Sequence, residues 1–118
     1  MARVAIVTGG TRGIGEAISL ALHDMGMTVA ANYAGNDERA REFSDRTGIA
    51  SFKWDVADYD ACQEGCARVA AELGPVDVLV NNAGITRDGT IMKLTYQAWK
   101  EVIDTNLGGC FNMAKAVF

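Results

Sequence analysis

Apolar and polar residues fall in blocks along this chain, and the blocks alternate between two periods. Arg3 to Val7 reads as an apolar run with β-branched residues that stops at Gly9-Gly10, which predicts a strand buried on both faces of a parallel sheet. Ile14, Ala17, Ile18, Ala21, Leu22 and Met25 then recur at helical spacing, and Gly26 is placed to end that helix in a left-handed turn. Thr28 to Asn32 predicts a second short strand, and the charged stretch Asn36 to Arg46 a solvent-facing helix stopped at Gly48. Ala50 to Trp54 predicts a third strand; Cys62, Cys66, Val69, Ala70 and Leu73 form a helical stripe that ends at Gly74-Pro75; Val76 to Val80 predicts the fourth strand. Strands separated by helices imply right-handed crossovers, hence an α/β fold: a doubly wound parallel sheet of about four strands with helices on both faces.

After Asn81 the pattern changes. Residues 82–94 read as a loop, and Thr95 is placed to cap a helix whose stripe is Trp99, Val102, Ile103, Leu107, Cys110, Ala114 and Val117. That stripe runs to Phe118 without a glycine, proline or polar stop. A wide apolar face must be buried against something, so residues 1–118 are expected to be the N-terminal part of a single domain in a longer protein.

Composition narrows the class. Of 118 residues 49% are apolar and 22% charged, enough for a core and unlike a disordered chain. Eleven basic against fifteen acidic residues give a net charge of −4, which argues against a nucleic-acid or anionic-membrane partner. No apolar run approaches the roughly 18 to 20 residues of a spanning helix, and no leader pattern opens the chain, so a cytoplasmic protein is expected. Cys62 and Cys66, four apart on a helix, are poorly placed for a disulfide and read as reduced thiols. With His23 the only histidine, no metal site is expected.

Candidate chemistry begins at Thr8-Gly9-Gly10-Thr11-Arg12-Gly13-Ile14-Gly15, between the first strand and the first helix. Amides at a helix start can face a pyrophosphate; Gly9 would permit the turn, Gly13 close approach of phosphate, and Gly15 close packing of helix on strand. Three glycines alone would make only a turn, but the strand and helix flanks favour a dinucleotide site, with Thr11, Arg12 and Ile14 beside the glycines as further candidate contacts. An NAD site usually carries an acid about 20 positions on, at the end of the second strand. Asn32, a candidate cofactor contact, and Tyr33 stand there instead, and with Arg12 in the loop and Arg39 near the next helix start the preference is for NADP(H). For Arg39 an ordinary exposed helix arginine is the alternative.

This loop, followed by Asp55-Val56, then Asn81-Asn82-Ala83-Gly84, then Asn106, resembles the short-chain dehydrogenase/reductase family in identity, order and spacing. The resemblance implies a Rossmann-like fold and assigns roles. Asp55 would accept from the adenine amino group while the Val56 N–H binds a ring nitrogen. Asn82, Ala83 and Gly84 would lie against the cofactor ribose. Asn106 falls on the apolar stripe between Ile103 and Leu107, where a buried amide must find partners. In the family this asparagine interrupts the helix and supports a water that relays protons to a catalytic lysine. The segments Asn82 to Asp88 and Val102 to Leu107 are most similar to acetoacetyl-CoA reductases, then to 3-oxoacyl-[acyl-carrier-protein] reductases, and Asp88 would lie near the acyl-CoA. Activity is thus expected to be NADPH-dependent reduction of a 3-oxoacyl thioester by a homotetramer. A non-catalytic dinucleotide-binding or interaction module is the alternative if 118 residues is the natural length.

One match misleads. Tyr96-Gln-Ala-Trp-Lys100 spells the family's catalytic Tyr-x-x-x-Lys pattern, but it precedes Asn106 and lacks the serine-bearing strand before it. Helix-surface residues are expected there. The catalytic serine, tyrosine and lysine would follow Phe118, and these residues alone would not turn over substrate.

Overall fold

The first apolar run forms β1 (Val4–Val7), buried at every position, in the computed structural model, which describes residues 2–118. Next in chain order come α1 (Gly13–Asp24), β2 (Thr28–Tyr33), α2 (Asp37–Thr47), β3 (Ala50–Lys53), α3 (Tyr59–Leu73), β4 (Val76–Val80), α4 (Tyr96–Ile103) and α5 (Gly109–Val117). The strands are all parallel, in the order β3-β2-β1-β4.

Successive side chains of a strand point to opposite faces, and two cores result. Val4 and Ile6 pack with Phe52, Trp54 and Val56 against Cys62, Cys66 and Val69 of α3 and Met113 of α5. Val7, Val29 and Ala31 pack on the other face with Phe43 of α2, Ile49 and the half-buried Ile18 and Leu22 of α1. The sheet is therefore doubly wound, as the alternating blocks require. Ile6 and Val7 are 0% exposed, and each such side chain contributes roughly 1.5–3 kcal/mol on burial.

Helix ends follow local chemistry. Asn36, Asp58 and Thr95 accept side-chain cap bonds from the N–H groups of Arg39, Ala61 and Ala98, each at 3.0 Å. Gly48 ends α2 at φ 77°, a left-handed stop that glycine adopts without strain. Strand and helix ends differ from the sequence expectation by one or two residues.

Two faces differ from expectation. In α1 the inward positions are Gly15 and Ser19, while Ile14, Ala17, Ala21 and Met25 are exposed. The helix lies close to the glycine turn, so small residues occupy its inner face, and the Ser19 hydroxyl donates to the Gly10 carbonyl at 3.0 Å. The last helical stretch is not one regular helix: between α4 and α5, Asp104–Gly108 takes a wider turn with i→i+5 bonding, which shifts the register of α5 relative to α4. Gly109, Asn112 and Met113 are the buried residues of α5, whereas Trp99, Ile103 and Leu107 of the expected stripe are exposed. Among the described residues no helix is long and apolar enough to cross a membrane.

Candidate functional site

In this strand order the chain leaves β1 toward β2 on one side, and β4 lies on the other. The turns after β1 and β4 diverge and leave a crevice at the carboxyl ends of the strands, where open α/β sheets bind ligands. A cleft of about 830 Å³ occupies that position. Its walls come from the glycine loop (Gly9, Thr11, Arg12, Gly13), the stretch after β2 (Asn32 to Asn36, with Arg39), Trp54 to Ala57, and Asn82 to Ile85.

The glycine turn is built from the inside. Thr8 is 1% exposed, and its Oγ1 accepts from the N–H groups of Asn82 and Ala83, both at 2.9 Å, while donating to the Val80 carbonyl at 3.3 Å. Asn82 Nδ2 answers by donating to the carbonyls of Thr8 and Gly9 at 3.1 and 3.2 Å. Gly9, at φ 62°, would place a Cβ 3.1 Å from Ala83 Cα, and a Cβ on Gly15 would run into the Gly9 carbonyl. Gly13 has φ 57° and open space where its Cβ would be, so its surface is free for a ligand.

The start of α1 differs from its neighbours. Arg12 stands at the cap position without a side-chain cap bond, whereas α2, α3 and α4 each have one. The first amides of α1 therefore have no acceptor among the described residues, and Arg12 and Gly13 bring this end of the helix, with the positive end of its dipole, to the cleft. Pyrophosphate chemistry fits this wall.

Asn32 lines the cleft and also holds the loop from within. Its side chain is 2% exposed and engaged at both ends: Oδ1 accepts from Gly9 N–H at 3.3 Å and Nδ2 donates to the Trp54 carbonyl at 2.9 Å. It ties the glycine loop to the Trp54–Ala57 wall, so its amide has protein partners at both ends. Beyond it Tyr33, Ala34, Gly35 and Asn36 line the cleft without a carboxylate. The nearby Asp37 is engaged by the Tyr33 hydroxyl at 3.0 Å and by Lys53 Nζ at 3.1 Å, and hydrogen bonds from Lys53 and Tyr33 hold its carboxyl below the ordinary range. Arg12 and Arg39 line this end with no ion-pair partner among the described residues.

Asp55 Oδ1 accepts from Ala57 N–H at 2.9 Å, which orients its carboxylate at the wall, and Val56 N–H has no acceptor among the described residues. This donor and acceptor edge fits a purine. On the opposite wall Gly84 comes close to Asn106: a Cβ there would lie 3.2 Å from Asn106 Oδ1. Asn106 is exposed rather than buried, because the wider turn lifts it off the core, yet its amide is paired twice with Ile85: Oδ1 accepts from Ile85 N–H at 2.8 Å and Nδ2 donates to Ile85 O at 3.0 Å. It does not itself line the cleft, although Thr105 beside it does.

Ile14, Gly15 and Asp88 do not line the cleft; Gly15 is buried beneath the loop, Ile14 is exposed beside it, and Asp88 sits on the exposed loop. Arg87, Glu101, Asp104 and Thr105 do line it and were not singled out by sequence. Tyr96 and Lys100 stay outside, as their position before Asn106 implies: Tyr96 is 71% exposed, and Lys100 pairs with Asp104 at 2.6 Å, which raises the affinity of its ammonium for the proton.

Known proteins share this arrangement of sequence and fold. The family description short chain dehydrogenase matches residues 3–118. The chain belongs to the short-chain dehydrogenase family. An acetoacetyl-CoA reductase of Paracoccus denitrificans is 65% identical over 118 residues, covering 100% of this chain and 49% of the relative. A 3-oxoacyl-[acyl-carrier-protein] reductase of Staphylococcus aureus (strain Mu50 / ATCC 700699) is 46% identical over 117 residues, covering 95% of this chain and 48% of the relative. A solved short-chain dehydrogenase/reductase variant from Serratia marcescens superposes with a TM-score of 0.91 at 31% identity, covering 98% of this chain and 49% of that one. This short-chain dehydrogenase sequence thus spans about half the length of the curated relatives it matches.

Proposed function

We propose that the protein carrying this chain is an NADPH-dependent reductase of a 3-oxoacyl thioester, converting acetoacetyl-CoA to 3-hydroxybutanoyl-CoA. The observation that carries the cofactor choice is the end of β2, where Arg12 and Arg39 line the cleft without an ion-pair partner among the described residues and the stretch Asn32 to Asn36 lines it without a carboxylate. Guanidinium groups match a 2′-phosphate in charge and geometry, and an acid at that point would repel it.

When bound, the reduced nicotinamide supplies the hydride. The residues present hold and orient: the first amides of α1 take the pyrophosphate, Asp55 and Val56 N–H take the adenine edge, and Asn82 to Gly84 lie against the ribose. Asn106 fixes the wall at Ile85 and, by its likeness to the family's asparagine, supports a proton relay. Asp88 would meet the acyl-CoA outside the cleft. The groups that donate the proton and orient the carbonyl are not supplied by Tyr96 and Lys100, which lie outside the cleft. Residues 1–118 alone are therefore proposed to bind cofactor at best in part, without turnover.

The higher identity to an acetoacetyl-CoA reductase than to an acyl-carrier-protein enzyme supports coenzyme A as the carrier. The exposed stripe of Trp99, Leu107 and Phe111 supports contact between copies, in a homotetramer. The test is steady-state reduction by the complete protein of acetoacetyl-CoA and of the matching acyl-carrier-protein thioester, with NADPH and NADH in parallel. Turnover of acetoacetyl-CoA with NADPH is expected. Preference for NADH would overturn the cofactor assignment, and preference for the protein-bound thioester would overturn the substrate.

A further inference from the structure

We propose that Asn112 is a positioning residue for the adenine end of the cleft, acting through Val56. Val56 stands on the cleft wall beside Asp55, yet its side chain is held by the last helix and its carbonyl by the last helix together with the Cys62 thiol of α3, which donates to it at 3.5 Å. Asn112 Nδ2 donates to the Val56 carbonyl at 2.9 Å, and Asn112 is only 9% exposed. Gly109, almost one turn earlier on α5, lies against the Val56 side chain so closely that a Cβ would fall 2.7 Å from Val56 Cγ2. Met113, 0% exposed, accepts the Trp54 indole N–H on its sulfur at 3.4 Å. From the other side, Asn32 holds the Trp54 carbonyl.

These contacts go beyond satisfying a buried carbonyl. Rotation of the Val56 backbone must move its carbonyl off Asn112 or its side chain off Gly109. With both fixed, the Val56 Cα and the nitrogen it carries are held in place on the wall, which limits where its N–H can point, and that N–H is the donor that no described residue accepts. A recognition donor is more effective when its direction is fixed before the ligand arrives, because less order is lost on binding. The helical stretch from Asn106 to Asn112 therefore anchors both cleft walls: Asn106 holds Ile85 on one side, and Asn112 holds Val56 on the other.

This inference rests on the dinucleotide reading of the cleft, and its test separates the two. In the complete protein, wild type, Asn112→Ala and Asn112→Ser are titrated with adenosine 2′,5′-bisphosphate, which carries the adenine half, and with reduced nicotinamide mononucleotide, which lacks it. Asn112→Ala is expected to weaken the adenosine ligand about tenfold and to raise the KM for NADPH in step, with kcat at saturating cofactor within about twofold and nicotinamide mononucleotide binding unchanged. Asn112→Ser, whose hydroxyl can donate to the same carbonyl, is expected to recover part of the loss. Unchanged adenosine binding in Asn112→Ala, or equal loss of both half-ligands with a fall in kcat, would overturn the proposal. Should Asn112→Ala not fold, Asn112→Ser and Gly109→Ala are judged by the same criterion, selective loss of the adenosine ligand. Failure of the wild type to bind that ligand would overturn the dinucleotide reading as well; wild-type binding with indifferent variants would overturn the role of Asn112 alone.

Discussion

Thr8 and Asn106 each satisfy the backbone of the turn after β4, from opposite sides. Thr8 takes the N–H groups of Asn82 and Ala83 on one hydroxyl that is 1% exposed, at the end of the central strand. Asn106 takes the N–H and carbonyl of Ile85 on an exposed amide, from a wider helical turn. The number of bonds is similar, but their setting differs: the first pair can break only by opening the sheet, while water can compete for the second at any time. Local opening should therefore separate the two ends of one short turn. The glycine-loop side is fixed by folding itself, and the Ile85 side by a solvated contact that can yield.

The sharpest way to break this contrast is to disturb the glycine side sterically. A Cβ at Gly15 collides with the Gly9 carbonyl and comes near Asn82 Nδ2, neither of which can move without losing the bonds around Thr8. Gly15→Val is expected to cost about 3 kcal/mol, the upper end for forcing volume into a packed site, and to abolish nucleotide binding. Urea denaturation and an NADPH titration check both. Thr8→Val keeps the shape and removes the acceptor, leaving the half-buried Ala83 N–H unpaired and the Asn82 N–H with only the Val80 carbonyl; about 2 kcal/mol is expected by the same denaturation, with weaker binding at the glycine loop. A loss no larger than that of Asn106→Ala would mean that burial does not distinguish the two sides.

The thiols repeat the contrast. Burial pushes the Cys62 thiol up to about 11, with Cys66 adding to it, and burial alone pushes Cys66 up to about 11 from the ordinary 9.0. A thiol whose pKa is raised on folding favours the folded state fully below its unfolded pKa, and this contribution is lost as pH rises through the folded value. Stability should therefore decline between about pH 9 and 11, and Cys62→Ser with Cys66→Ser should flatten that decline; melting curves at stepped pH decide it. At pH 8 a neutral thiol reagent is expected to label the partly exposed Cys110 first and the two α3 thiols only on unfolding.

How far the sequence revealed this site also divides along the same line. The strands and the glycine turn were legible because backbone demands select residue types there: β-branched runs for a strand buried on both faces, and glycine where the Gly9 and Gly13 φ angles are positive. Asp55, Val56 and Asn82 to Gly84 came with the family likeness and meet at the cleft. Side-chain hydrophobicity served less well where elements approach closely. Ser19 rather than Ile14 faces inward on α1, because the helix rests on the turn and only a small residue fits. Asn112 is buried and Leu107 exposed, because one wider turn shifts the helix register and no periodicity count anticipates an added residue. Asn32 was legible as a strand-end residue at the cleft; that its amide also bonds Gly9 and the Trp54 carbonyl depends on residues distant in sequence.

On the yielding side, Asn106→Ala is expected to cost only about 1 kcal/mol, since water can take up the exposed Ile85 groups. Its signature is local: the Ile85 amide should exchange with solvent faster while those of Asn82 and Ala83 keep their protection. Equal acceleration at all three would show that the turn opens as one unit.

The smallest effect belongs to Arg87, which lines the cleft and reaches across it to Glu101 at 3.2 Å, with side chains 47% and 38% exposed. The pair joins the loop after β4 to α4, so it has the position of a clamp, but exposure limits it: two flexible side chains are ordered for a solvated contact that typically contributes about 0.2–1 kcal/mol. Salt should weaken it further, since about 0.15 M reduces the Debye length to roughly 8 Å and higher salt shortens it more. Arg87→Ala is therefore expected to lower the melting temperature only slightly at low salt and not at all near 1 M, with Glu101→Gln giving the same salt-dependent loss and the double variant no more than either. A loss that persisted at high salt would place Arg87 among the groups that folding fixes and would move the boundary between rigid and yielding walls from Ala83 to beyond Arg87.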